Sequence, residues 1–169
     1  VPGWVKDPRA FAPLINARAE TASEKPSFRG PLRHRRCLVP ADGFYEWSGP
    51  AGARRPHLAR PRTRGPIAFA ALFEPWLGAD GSEIETMAIL TVPANATLAP
   101  IHDRMPAILS PDAFDAWLDC RAAEITPAVA LLRPAADDLL EVQEVDPILN
   151  NPRNEGVQVL KQVGQIPLL

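Results

Sequence analysis

Cysteine is scarce in this chain, and long apolar runs and internal repeats are missing altogether. Two cysteines in 169 residues, Cys37 and Cys120, do not make a disulfide framework, so a reduced, cytoplasmic compartment is expected. No run approaches the roughly 18 apolar residues of a membrane span. The opening VPGWVKDPR lacks the apolar core of a signal peptide. The three histidines and two cysteines show neither CxxC nor HExxH spacing, so no metal and no cofactor are expected. Without repeats, low-complexity tracts or linkers, residues 1–169 read as a single domain. Proline, by contrast, is plentiful: 20 residues argue against long helices and for short strands joined by fixed turns.

The net charge of −2 conceals an asymmetry: residues 1–75 carry 13 Lys+Arg against 6 Asp+Glu, and residues 76–169 carry 5 against 14. Arg33, Arg35 and Arg36 crowd into RHRR, and arginine's planar fork suits phosphate oxygens. A basic half on an acidic chain is what a nucleic-acid surface looks like; the plain alternative is a solvated, salt-bridged face.

Short segments that are apolar or alternating and bounded by Gly or Pro predict strands at 37–47, 56–60, 66–74, 84–92, 105–109 and 139–145. Ser110-Pro111 and Thr126-Pro127 predict N-caps for helices at 111–119 and 126–133. LGADGS reads as a hairpin loop. The expected class is α+β, dominated by antiparallel sheet.

Within PADGFYEW, a strand places Tyr45 and Trp47 on one face and Phe44 and Glu46 on the other. If the Tyr45/Trp47 face is core, Glu46 is simply solvated. If the other face is half-buried, Glu46 is a carboxyl whose pKa rises with desolvation and which is fitted for proton transfer. Other polar residues stand where a core would not ask for them: Asn16 and Arg18 in INARAET, Thr91 and Asn95 in TVPAN, and His102 and Arg104 in IHDRMP. For His102 the plain alternative is an imidazole satisfied by a backbone carbonyl. Cys37 leads an apolar strand, where a buried inert thiol is expected, and Cys120 closes an acidic stretch that disfavours thiolate.

Three of these stretches, LINARAET followed by EKPSF, RRCLVPADGFYEW and ANATLAPIHDRMPAIL, occur in an order and spacing that resembles the SOS response-associated peptidase family. The likeness runs from PGWVKDP to LNNPRNEG, nearly the whole chain. It implies a mixed fold on a curved, barrel-like, mostly antiparallel sheet with a few short helices. It also implies single-stranded DNA and abasic-site DNA as partners, and a cytoplasmic monomer that meets the nucleoid through DNA. The implied activity is self-removal of the initiator methionine, followed by thiazolidine formation between an N-terminal cysteine and the abasic-site aldehyde. On this resemblance Glu46 is the acid/base carboxylate and His102 the proton shuttle. Asn16 orients the cysteine, Arg18 holds DNA phosphate, Trp47 forms part of the DNA-facing wall, and Thr91 and Arg104 line the site. The family's Met-Cys-Gly-Arg start has no match here, where the chain reads Val1-Pro2-Gly3-Trp4, so the sequence is expected to be a domain lacking its N-terminal segment. The alternative expectation is a non-catalytic single-stranded DNA-binding module.

Overall fold

The computed structural model describes residues 1–121, 124–160 and 163. It is α+β, with a curled half-barrel sheet, mostly antiparallel strands and short helices. In chain order the strands are β1 (Asn16–Arg18), β2 (Arg36–Ala41), β3 (Phe44–Ser48), β4 (Arg55–Pro61), β5 (Ile67–Leu77), β6 (Glu83–Pro93), β7 (Arg104–Pro106), β8 (Ile108–Leu109) and β9 (Leu140–Glu144). The helices are α1 (Ala19–Ala22), α2 (Pro26–His34), α3 (Phe114–Leu118) and α4 (Thr126–Val129). Backbone contacts divide the chain into two compact units. One comprises Val1–Pro40, Ile67–Pro93 and Pro106–Ala135; the other comprises Ala41–Pro66, Ala94–Met105 and the residues from Ala136 onward.

In the first unit the strands lie in the order β1-β6-β5-β2, with β8 beside β5. The β5–β6 hairpin is built by its turn. Asp80 Oδ1 accepts from Ser82 N at 3.0 Å and from Ser82 Oγ at 2.7 Å, and Gly81 takes φ +83°, a region that favours glycine. The two strands then run antiparallel from Leu77↔Glu83 to Ala71↔Ile89. β1 breaks the antiparallel rule, pairing parallel to β6 with Asn16↔Ile89 and Arg18↔Thr91. Leu32, Leu72, Leu90, Val92 and Trp117 are fully buried in this unit. α2 was not foreseen, because Gly30 and Pro31 both disfavour a helix. It forms with Pro26 in its first turn and buries Pro31 and Leu32.

In the second unit β3, β4 and β9 make an antiparallel three-stranded sheet. The strand expected over 37–47 is two strands, because the chain breaks at Asp42-Gly43. A Cβ on Gly43 would stand 2.5 Å from the Ala59 carbonyl oxygen, so this close approach to β4 requires glycine. Likewise 105–109 divides into β7 and β8. The helix expected over 111–119 is a 3₁₀ turn, Pro111–Ala113, leading into α3 with Ser110 at the cap position. The one expected over 126–133 contracts to Thr126–Val129, with Ile125 and not Thr126 at the cap.

Candidate proton-transfer site and nucleic-acid interface

β3 places Glu46 directly opposite His57 of β4, and His57 in turn faces Glu144 of β9. Directly paired residues share a face of a sheet, so these three form one row. Tyr45 and Trp47 occupy the other face, with ring centroids 6.4 Å apart. The Glu46 side chain is only 21% exposed. Burial pushes its carboxyl above the ordinary value; the His102 imidazole and the Trp47 backbone N–H pull it back, and Asp103 adds to the rise. The half-buried alternative for Glu46 is therefore the one the fold adopts.

His102 reaches this carboxyl from a turn 56 residues further along the chain. Its Nδ1 lies 3.9 Å from Glu46 Oε2 and 3.5 Å from Asp103 Oδ1. Arg104 N donates to the same Nδ1 at 3.0 Å, and the Arg104 carbonyl oxygen is 3.1 Å away. With Nδ1 accepting from Arg104, the neutral ring carries its proton on Nε2. When doubly protonated, the ring has that carbonyl and two carboxylates around Nδ1–H. The backbone carbonyl expected of a merely structural histidine is present, but so is the carboxylate of Glu46.

The turn is held by Asn95, a buried polar residue. Its Oδ1 accepts from Leu98 N at 3.1 Å and its Nδ2 donates to the Ala136 carbonyl at 3.2 Å. Ala96 N donates to Asp137 Oδ1 at 2.8 Å, the Thr97 hydroxyl donates to Asp137 O at 2.6 Å, and Ala94 N to Asp103 O closes the turn at 2.9 Å. His57 and Asp103 were missed as members of this cluster. Asp103 was open to view beside His102, whereas His57 becomes visible only once the β3–β4 register is known.

In the first unit Asn16 and Arg18 are exposed on β1, two residues apart and therefore on one face. Thr91 lies opposite Arg18 in the register, with its hydroxyl 3.5 Å from the Ala17 carbonyl oxygen. Arg33 is exposed at the end of α2. The expectation that Arg33, Arg35 and Arg36 meet phosphates as a group is corrected here. Arg36 is 6% exposed, and its guanidinium donates to the carbonyls of Leu32 (2.8 Å), Arg33 (3.2 Å), Asp119 (2.6 Å) and Trp117 while lying over the Trp117 ring. Four of its five N–H donors are spent on the fold. Arg35 is committed to Glu74, with Nη2 to Oε2 at 2.6 Å. Cys37 is half-buried and burial raises its thiol pKa, as an inert thiol requires. Among the described residues no cluster of three or more His, Cys, Asp or Glu is arranged to hold a metal ion, and no helix is long and apolar enough to cross a membrane.

Compared with known families, residues 1–152 match the model of the SOS response associated peptidase (SRAP). The chain belongs to the SRAP family. Relatives include the abasic site processing protein YoqW of Bacillus subtilis, 37% identical over 162 residues, covering 95% of this chain and 72% of that protein. The abasic site processing protein HMCES of Gallus gallus is 33% identical over 184 residues, covering 95% of this chain but 54% of its own length. Among solved structures, a Bacteroides thetaiotaomicron protein superposes with a TM-score of 0.83 at 28% identity, covering 96% of this chain and 73% of the other. A Bordetella bronchiseptica protein gives 0.69 at 29% identity, covering 78% and 64%. Membership in the SRAP family agrees with the motif order that the sequence displays.

Proposed function

We propose that this SRAP chain processes abasic sites in single-stranded DNA, with Glu46 and His102 as its proton-transfer pair. The observation that carries the reading is their meeting at 3.9 Å from distant segments, with Glu46 held half-buried and its pKa raised. The names of its relatives, abasic site processing proteins, support the substrate. An abasic site exposes an aldehyde. Attack by an amine gives a carbinolamine, and its loss of water to an imine needs a positioned acid. A carboxyl whose pKa is raised by burial is suited to supply that acid, and the imidazole returns the proton. Asn16 is assigned the orienting of the amine, and Arg18 a phosphate contact.

The covalent end of the reading is a thiazolidine, which takes an amine and a thiol from one cysteine. Cys37 and Cys120 are internal and offer only a thiol, whose hemithioacetal with the aldehyde reverses in water. The test is a denaturing gel of protein mixed with an abasic oligonucleotide, sampled over time. The chain beginning at Val1 is expected to give no heat-stable shifted band, and the same chain extended to expose an N-terminal cysteine in the family's manner is expected to give one. A heat-stable band from the chain beginning at Val1 would place the nucleophile elsewhere. Tight binding with no adduct from either form would favour a binding module without chemistry.

A further inference from the structure

The LNNPRNEG segment contributes nothing to the Glu46–His102 pair, yet it is fastened to the other face of β3. Trp47 Nε1 donates to Asn150 Oδ1 at 2.8 Å across 103 residues of sequence, and Asn150 Nδ2 donates to the Arg54 carbonyl at 3.0 Å. Asn150 ends a 3₁₀ turn whose start is capped by Asp146, with Ile148 N donating to Asp146 Oδ1 at 2.9 Å. Asn154 Nδ2 donates to the Ile148 carbonyl at 2.8 Å and braces the same turn. The one side-chain amide thus ties the indole edge and the Arg54 loop together, using an acceptor for the first and a donor for the second. Trp47, Gly52, Arg54 and Asn150 line an open cleft of about 350 Å³, inside the range of small-ligand sites. Gly52 holds the loop at φ +86°. Arg54 is exposed, and its guanidinium makes no ion pair among the described residues.

We propose that this cleft is a subsite for one nucleotide of the DNA strand: the Trp47 ring receives the base, the Arg54 guanidinium receives a phosphate, and Asn150 is the positioning residue that sets the indole. The inference rests on the proposed DNA reading and adds to it a place where the strand is held, separate from the acid/base pair. An indole fixed through its N–H has lost rotamer freedom before the base arrives, so stacking need not supply that ordering. A lone guanidinium at an open cleft edge matches an anionic oxygen better than it matches an uncharged ligand.

The experiment is fluorescence anisotropy of a labelled single-stranded oligonucleotide across a salt series, with the chain and its Trp47→Ala, Asn150→Ala, Arg54→Ala and Trp47→Ala/Asn150→Ala variants. Trp47→Ala is expected to weaken binding roughly 5- to 150-fold, as loss of one stacked base does. Asn150→Ala is expected to cost about 2- to 13-fold at an unchanged salt slope, and to cost nothing further once Trp47 is alanine. Arg54→Ala should flatten the slope by about 0.7, one phosphate contact. Asn150 and Arg54 are exposed, so circular dichroism of these variants should match the parent. If the chain binds the strand and Trp47→Ala weakens it, but Asn150→Ala and Arg54→Ala behave as the parent, the subsite is overturned and the DNA reading stands. An Asn150→Ala loss that adds in full to the Trp47→Ala loss removes the positioning role. Absence of strand binding by the parent overturns both.

Discussion

Glu46 is held where its charge is costly. Desolvation favours the protonated carboxyl, so the folded chain keeps this proton to higher pH than the unfolded chain does. The folded state binds more protons in the window above the ordinary carboxylate value, and stability contributed by this group falls as pH rises through the raised pKa. Glu46→Gln, which cannot ionise, should therefore melt with the parent in acid and above it at neutral pH, as read by thermal unfolding at a series of pH values. A parent that is the more stable at neutral pH would show that His102 outweighs burial. Arg36 gives a second residue-scale expectation. Removing its guanidinium strips four buried or part-buried carbonyls of their donor, and Arg36→Ala should cost about 3 kcal/mol in denaturant unfolding. Exposed Arg33→Ala should stay within about 0.5 kcal/mol.

At the scale of elements, the turn from Asn95 to His102 connects folding to chemistry. Asn95→Ala removes the Leu98 and Ala136 bonds and should destabilise the chain by about 1–3 kcal/mol, and it should slow abasic-site processing even under conditions where the chain is folded. Equal rates at full folding would mean that the turn positions nothing. The elements also show what the sequence made legible. Central strands such as β5 and β6 were readable from apolar runs between Gly and Pro, and the LGADGS turn from its residue types. The Asp42-Gly43 break was hidden because the apolar character continues across it, and only the approach of the Ala59 carbonyl reveals why glycine stands there. α2 was hidden because burial of Pro31 and Leu32 overrides two helix-disfavouring residues. Of the site, Glu46 and His102 were legible as polar residues out of place and through the family motifs. The arginines of RHRR looked alike in sequence, and burial alone separates Arg36 from Arg33.

For the whole molecule, the charge asymmetry and the SRAP membership lead to the same partner. Strand binding should weaken with salt, log affinity falling by about 0.7 per phosphate contact per decade, and Arg18→Ala should lower that slope by one contact. A salt-independent affinity in the parent would remove the electrostatic part of the account. The central claim, that Glu46 and His102 move the protons of abasic-site chemistry, is tested most directly by adduct kinetics in the form extended to an exposed N-terminal cysteine. Denaturing gels over time with a single-stranded abasic oligonucleotide should show Glu46→Gln and His102→Ala forming the adduct about 10²–10⁴-fold more slowly than the parent, at undiminished strand affinity. Parent-like rates in both variants would contradict the claim.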